Sequence, residues 1–150
     1  MAFIDGSDPT PRMLIGPEDG ARAIFRERAR YPAGFFVGLH THEGDESFEV
    51  REGRLRFAVG DERRTGGPGD IVFVPAGVEH GFVAETDVVI DIFSQQDMGL
   101  YVVVREPDGS RRVEEVFMEG FPSTHAPPAG QGWTPRAHIR ALYATTRDLL

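Results

Sequence analysis

Residues 34–53 read GFFVGLHTHEGDESFEVREG, and residues 69–84 read GDIVFVPAGVEHGFVA. Both segments combine short apolar runs with glycines and with ionisable residues at regular spacings, a pattern typical of strands joined by tight turns. The first contains two histidines separated by one residue and a glutamate four residues later, and the second contains a histidine that follows a Pro-x-Gly turn. Together they supply four candidate site residues: His40, His42, Glu46 and His80.

Short apolar runs separated by turn signals continue along most of the chain, which contains 18 Gly and 11 Pro. Residues 65–70 are predicted as a tight loop, and residues 107–110 as a hairpin turn. The runs predicted as strands are 35–39, 47–50, 55–59, 71–74, 88–93, 101–104 and 113–117. This spacing of short strands predicts an all-β sandwich or barrel.

A single domain is predicted for residues 1–150, because a chain of this length fits one hydrophobic core. Residues 120–133 are rich in Pro, Gly and Ala and are predicted as a surface loop, which either closes over the site or packs on a partner subunit. Thr134 and Pro135 resemble an N-cap followed by a first-turn proline. They predict one short C-terminal helix over residues 135–150.

Composition excludes several classes of chemistry. The chain has no Cys, which excludes disulfides and thiolate-bound metals, so any metal must be held by nitrogen and oxygen. All 16 basic residues are Arg, which excludes a lysine Schiff base. The net charge of −8 argues against binding to nucleic acid or acidic membranes. No apolar run approaches the ~20 residues that span a bilayer, so we expect a cytoplasmic protein.

The four candidate residues have the right chemistry and direction for one metal ion. His40 and His42 are two residues apart on a predicted strand, so both side chains leave the same face, roughly 7 Å apart along the chain. Glu46 is two residues from Phe48, and His80 is two residues from Phe82, so each ionisable side chain shares a strand face with an apolar one. If the apolar residues face the core, the ionisable side chains do so too. Burying them without a shared partner would be costly. We expect His125 and His138, in contrast, to be solvated.

The two segments resemble the motifs of the cupin family, G-x5-H-x-H-x3–4-E-x6-G and G-x5-P-x-G-x2-H-x3-N. The match covers residues 34–84, and the one departure is Ala84 in place of the final Asn. The resemblance implies a double-stranded β-helix, or jelly-roll barrel, that binds one divalent ion through His40, His42, Glu46 and His80. Two positions of an octahedral ion would stay open for water, substrate or dioxygen. Small cupins usually dimerise, so the resemblance also implies a homodimer.

The stretch at residues 91–97 resembles a D-x-F-S-P-x-R-x-D segment that lines the barrel near the metal in small single-domain cupins, including some that act on sugar-acid products. Asp91, Phe93 and Ser94 match, whereas Gln95 and Asp97 replace the Pro and the Arg. The lost Arg argues against a carboxylated sugar substrate. Asp91 on an inward face would serve as a general acid or base. The alternative is a strand-end carboxylate that accepts backbone hydrogen bonds.

Three functions are compatible with these residues. The first is a non-haem metal dioxygenase with Fe²⁺ as the favoured ion and Mn²⁺, Ni²⁺ or Cu²⁺ as alternatives, in which Glu46 and Asp91 are the catalytic residues. The second is a non-redox isomerase, lyase or polyketide-type cyclase that uses the ion, Zn²⁺ included, as a Lewis acid. The third is a binding module without turnover. In each case the expected partner is a small organic molecule, for example one with a keto, enol or catechol group.

Overall fold

A computed structural model of the chain describes residues 12–96, 98–119 and 126–150. Asp97, His125 and residues 120–125 of the predicted loop lie outside the described residues. The helix α1 spans Arg136–Ala144, and short 3-10 turns occupy Pro17–Asp19 and Arg147–Leu149. The strands are β1 Arg12–Ile15, β2 Ile24–Tyr31, β3 Phe36–Thr41, β4 Glu46–Glu52, β5 Leu55–Val59, β6 Glu62–Gly66, β7 Ile71–Val74, β8 His80–Ala84, β9 Val88–Gln95, β10 Leu100–Arg105 and β11 Arg111–Val116.

The strands form two antiparallel sheets that face each other across one core. The first sheet has the order β1-β2-β9-β4-β7, and the second has the order β11-β10-β3-β8-β5-β6. Aromatic rings from both sheets meet between them: the centroid of Phe48 lies 5.5 Å from that of Phe57 and 5.9 Å from that of Phe82. This confirms the predicted all-β jelly-roll with a C-terminal helix.

Four of the observed strands are missing from the predicted ranges, namely β1, β2, β6 and β8, although the shared parity of His80 and Phe82 indicated an extended segment at β8. In β2 the alternate positions are buried, but one of them is Glu27 and another is Ala29, so the alternation of apolar residues is incomplete. Strand β6 is an edge strand that pairs only with β5 and carries mainly charged side chains. It also includes the first two residues of the predicted loop at 65–70. In β2 and β6 the backbone pairing, rather than an apolar pattern, determines the structure.

The C-terminal helix is shorter than predicted, ending at residue 144 instead of 150. Thr134 does not cap it, because the Thr134 hydroxyl instead accepts a hydrogen bond from the Phe117 N–H at 2.9 Å. After the helix, the Thr146 hydroxyl accepts a hydrogen bond from the Leu39 N–H at 2.9 Å, which ties the chain to β3. The Thr145 hydroxyl donates to the Leu142 carbonyl at 2.8 Å, a local bond that competes with continuation of the helix. In the described ranges no helix is long and apolar enough to cross a membrane.

An irregularity in β3 sets the direction of the first candidate ligand. Val37 pairs with Phe82 and His40 pairs with His80, so three steps along β3 match two steps along β8. This bulge places both Val37 and His40 on the inner face despite their odd spacing. It contains Gly38, where an added Cβ would lie 2.4 Å from a backbone oxygen of α1. The glycine therefore allows α1 to pack closely beside the histidines.

Candidate metal centre

The four predicted ligands come together at one end of the space between the sheets. His40 lies near the end of β3, His42 follows that strand, Glu46 begins β4 and His80 begins β8. One donor atom from each side chain lies within 4.8 Å of all the others. Each residue is at most 7% exposed. Residues that are 40 positions apart in the sequence thus form one buried cluster, which we call the four-donor cluster.

Each imidazole of the cluster is oriented by the backbone. The Nδ1 atoms donate hydrogen bonds to carbonyl oxygens: His40 to Gly38 at 2.8 Å, His42 to Gly99 at 2.7 Å, and His80 to Val78 at 2.9 Å. Because a carbonyl oxygen only accepts, Nδ1 must carry the hydrogen, and a neutral ring then has its lone pair on Nε2. Backbone support of this kind holds metal-ligating histidines in one tautomer.

The lone pairs converge on a carboxylate. The Glu46 Oε2 atom lies 3.1 Å from Nε2 of His80 and 3.4 Å from Nε2 of His42. Two neutral Nε2 atoms and a carboxylate oxygen are all acceptors, so either a shared proton or a metal cation must lie among them. Donors bound at about 2.0–2.2 Å to one ion lie about 3 to 4 Å apart, so the cluster fits one divalent ion after a slight contraction.

Burial sets the protonation of the cluster. Desolvation, together with the neighbouring His80 and His42, holds the pKa of His40 well below its usual value. Desolvation also lowers the pKa of His42, although the nearby Glu46 charge opposes the shift. Burial alone would raise the pKa of Glu46, but its hydrogen bond with His80 and the charges of the histidines lower it. Neutral imidazoles beside an ionised carboxylate are the forms in which these side chains bind metals.

The strand register places Asp91 on the other side of the sheet. Phe48 pairs with Ile92, and both belong to the core between the sheets. Asp91 is the next residue along β9, so its side chain leaves the opposite, outer face. There it is completely buried by arginine side chains: Arg26 Nη2 lies 2.6 Å from Oδ2, and Arg28 Nε lies 2.7 Å from Oδ1. Hydrogen bonds from Arg28 and Arg26 lower the pKa of Asp91 to about 2.

The inward face predicted for Asp91, on which its role as an acid or base at the metal depended, is therefore wrong. A carboxylate outside the barrel, ionised at all ordinary pH values, cannot exchange a proton with a ligand inside it. The alternative, acceptance of backbone hydrogen bonds, is also incorrect, because Asp91 is the centre of an arginine cluster. Among the matched residues of that stretch, Phe93 contacts Arg26 on the outer face at 4.6 Å, and Ser94 is the one that pairs with Glu46 on the inner face.

Replacing Asp91 with Asn should destabilise the protein without affecting metal binding. The substitution leaves Arg26 and Arg28 without their counter-charge, and removing one partner of a buried ion pair costs about 3 kcal/mol. The stabilising effect of Asp91 should be present above about pH 4 and be lost as the pH falls through about 2, because its folded-state pKa lies below the ordinary value of 3.8. Urea unfolding at several pH values measures both effects.

Glu85→Gln is the matched control for this experiment. Glu85 pairs with exposed Arg54 and Arg56 at 3.5 Å, and surface pairs contribute about 1 kcal/mol or less. A loss from Asp91→Asn no larger than that of the control would contradict the structural role of Asp91. A loss of bound metal in Asp91→Asn would contradict its placement outside the site.

One inward-facing carboxyl was missed by the sequence analysis. Glu27 of β2 pairs with Ile92, on the inner row that also contains Phe48. Its side chain is 4% exposed, and desolvation followed by the charge of Glu46 raises its pKa to about 8. The alternation of the sequence could have revealed it, because Glu27 alternates with Phe25, Ala29 and Tyr31, which are all buried on the same face of β2.

Two buried tyrosines also belong to the interior, Tyr31 on the strand of Glu27 and Tyr143 on α1. Burial raises the pKa of Tyr31 and of Tyr143, and the charge of Glu46 contributes to both shifts. Tyr143 of α1 lies against His40, with 5.8 Å between ring centroids. His138, on the same helix, is exposed and forms an ion pair with Glu114 at 2.6 Å, away from the cluster.

Comparison with known proteins identifies related domains. A family model described as "Cupin domain" matches residues 28–94, a range that includes the whole four-donor cluster. No curated protein matches the chain by sequence. Among solved structures, a cupin-2 domain containing protein from Shewanella frigidimarina is 26% identical, with a TM-score of 0.50 over 58% of this chain and 80% of that one.

Two further similar structures are enzymes. A variant of salicylate 1,2-dioxygenase from Pseudoaminobacter salicylatoxidans is 24% identical, with a TM-score of 0.53 over 63% of this chain but 28% of that one. A DMSP lyase structure is 20% identical, with a TM-score of 0.52 over 57% of this chain and 49% of that one. At these identities the likeness is one of fold, and that fold hosts different reactions.

Proposed function

The chain belongs to the cupin superfamily, and from that premise we propose that it is a metal-dependent enzyme of the dioxygenase type acting on a small organic substrate. The observation that carries the proposal is the four-donor cluster, in which three histidines and one glutamate lie buried with donor atoms within 4.8 Å of one another. Such a donor set occupies four positions of an octahedral ion and leaves two for substrate and dioxygen.

The chain's own residues prepare this site for a chelating ligand. The cluster contributes one negative charge through Glu46, so a bound divalent ion retains positive charge that attracts an anionic oxygen of the substrate. The ring of Phe48 lies 6.4 Å from that of His80 and begins the apolar core, which excludes water from the inner side of the cluster. When bound, a redox-active ion such as Fe²⁺ supplies the electrons that dioxygen chemistry needs.

A second candidate function is favoured by Glu27. A buried carboxyl that is protonated near neutral pH suits a non-redox isomerase, lyase or cyclase, in which the ion polarises a carbonyl and a side chain moves the proton. The similarity in fold to both a dioxygenase and a lyase supports keeping the two candidates. The negative net charge favours neutral or singly charged substrates with keto, enol or catechol groups in both cases.

Oxygen uptake distinguishes these functions. The protein is stripped of metal, reconstituted separately with Fe²⁺, Mn²⁺, Ni²⁺, Cu²⁺ and Zn²⁺, and presented with a panel of catechols, enols and hydroxyketones. We expect oxygen consumption with a redox-active ion and none with zinc. Product that forms under nitrogen with zinc would replace the dioxygenase proposal with the non-redox candidate. Binding of panel members without turnover under either atmosphere would indicate a binding module and contradict both.

A further inference from the structure

Glu27 occupies a position inside the barrel that a structural side chain would not require. On the inner face of the sheet, Glu46, Ser94 and Phe25 form one row across β4, β9 and β2. The next row consists of Phe48, Ile92 and Glu27. Its neighbours on this inner row are therefore apolar. A carboxyl in such a place costs free energy that an apolar residue would not, since burial of a polar group is unfavourable unless it is compensated.

No compensating partner is present in the described part of the chain. Among residues 12–96, 98–119 and 126–150, no hydrogen bond or ion pair reaches the Glu27 carboxyl. Asp91 provides the contrast, because on the outer face of the same sheet it is held by two arginines. Asp91 is thus a structural carboxylate. Glu27, in contrast, is buried without a structural role for its carboxyl group, which is free to exchange a proton.

We propose that Glu27 is the catalytic acid–base residue of this site and exchanges one proton with an oxygen of the bound substrate; this inference rests on the proposed metal-dependent function. As an acid, Glu27 loses its carboxyl O–H bond and keeps the electron pair as a carboxylate, while a lone pair of the anionic substrate oxygen forms the new O–H bond. The reverse transfer restores the carboxyl group. No electrons are gained or lost in either direction.

The groups around Glu27 determine how its proton responds to pH. The charge of Glu46 on β4 acts on Glu27, Tyr31 on β2 senses the charge of Glu27, and Tyr143 on α1 senses the charge of Glu46. The cluster histidines, on and just after β3 and at the start of β8, are further titratable groups of the described interior. A bound anionic ligand adds negative charge beside Glu27 and disfavours its ionised form. Glu27 should therefore take up a proton when an anionic chelator binds.

Proton counting by calorimetry tests this inference without knowledge of the natural substrate. Zinc-loaded protein is titrated with nitrocatechol between pH 6 and about 9, in buffers of different ionisation enthalpy, which gives the number of protons released on binding. The wild type should release fewer protons than Glu27→Gln, and the difference should approach about one proton per site as the pH rises. Glu52→Gln, which alters an exposed carboxyl at the end of β4, should match the wild type.

Each outcome is informative. Equal proton counts for wild type and Glu27→Gln across the pH range would overturn the inference, provided that both bind one zinc ion per chain. Failure of the wild type to bind zinc would instead overturn the proposed function. Glu27→Asp, which keeps a carboxyl at this position, should restore most of the wild-type proton uptake. A count for Glu27→Asp equal to that of Glu27→Gln would also contradict the inference.

Discussion

Replacing His42 with alanine should abolish stoichiometric metal binding. His42 supplies one of four donors, and its imidazole is held by the Gly99 carbonyl so that Nε2 faces Glu46 at 3.4 Å. Without it, a divalent ion loses one of its four protein bonds and the support that oriented it, and the loss of affinity should exceed the roughly 10- to 100-fold effect of removing an outer-shell partner. Metal analysis after equilibrium dialysis against micromolar Zn²⁺ measures the effect.

His138→Ala is the matched control, since this exposed histidine pairs with Glu114 away from the cluster. The control should keep one equivalent of metal and the wild-type unfolding curve. Retention of a full equivalent by His42→Ala would contradict the ligand assignment. Loss of metal from both variants would show that the histidines act through the folded state rather than as ligands.

Replacing Glu27 with glutamine should make the metal-free protein more stable at alkaline pH. The folded-state pKa of Glu27 is raised to about 8 from an ordinary value of 4.5, so the folded state binds this proton more tightly than the unfolded chain does. The stabilising effect is complete below about pH 4.5 and is lost as the pH rises through about 8. Since a tenfold change in proton affinity equals about 1.4 kcal/mol, the loss is about 5 kcal/mol.

The glutamine variant lacks this titration, because its side chain resembles the protonated acid in shape and stays neutral. The difference in unfolding free energy between Glu27→Gln and wild type should therefore rise by about 5 kcal/mol between pH 4 and pH 9. Chemical denaturation in the presence of a metal chelator measures it. Glu52→Gln, at an exposed position, should show no comparable rise. A flat difference for Glu27→Gln would indicate that water reaches the carboxyl and that its burial has little energetic effect.

These predictions assign opposite roles to two carboxyl groups of one sheet. Asp91 and Glu27 lie on adjacent strands, separated by a single step in register, because Asp91 pairs with Arg28 and Glu27 pairs with Ile92. That single step changes the face of the sheet. On the outer face, arginines surround the carboxylate and hold it ionised; on the inner face, apolar neighbours and the charge of Glu46 favour the protonated form.

The sequence by itself indicated the all-β fold and the four residues that lie together in the cluster, and the resemblance of its motifs to those of the cupin family implied the jelly-roll. The reason is that these features follow from local rules. Residues two apart on a strand share a face, glycines mark the turns between strands, and three histidines with a glutamate on inward parity need a common partner. The helix near the C-terminus was also indicated by local signals, although it ends at Ala144, where Thr145 hydrogen bonds back to Leu142 and Thr146 attaches the chain to β3.

Only the tertiary structure decided which acidic side chain accompanies the cluster. Asp91 belongs to a clear apolar strand. Whether its side chain faces the core or the outside depends on how the strand pairs with its neighbours, and no local pattern specifies that pairing. Glu27 belongs to a strand whose sequence, IFRERARY, is mainly polar and becomes a strand because β9 provides hydrogen bonds along its whole length. Face and burial are properties of the assembled sheet, and they determine which carboxyl can hold a proton inside the barrel.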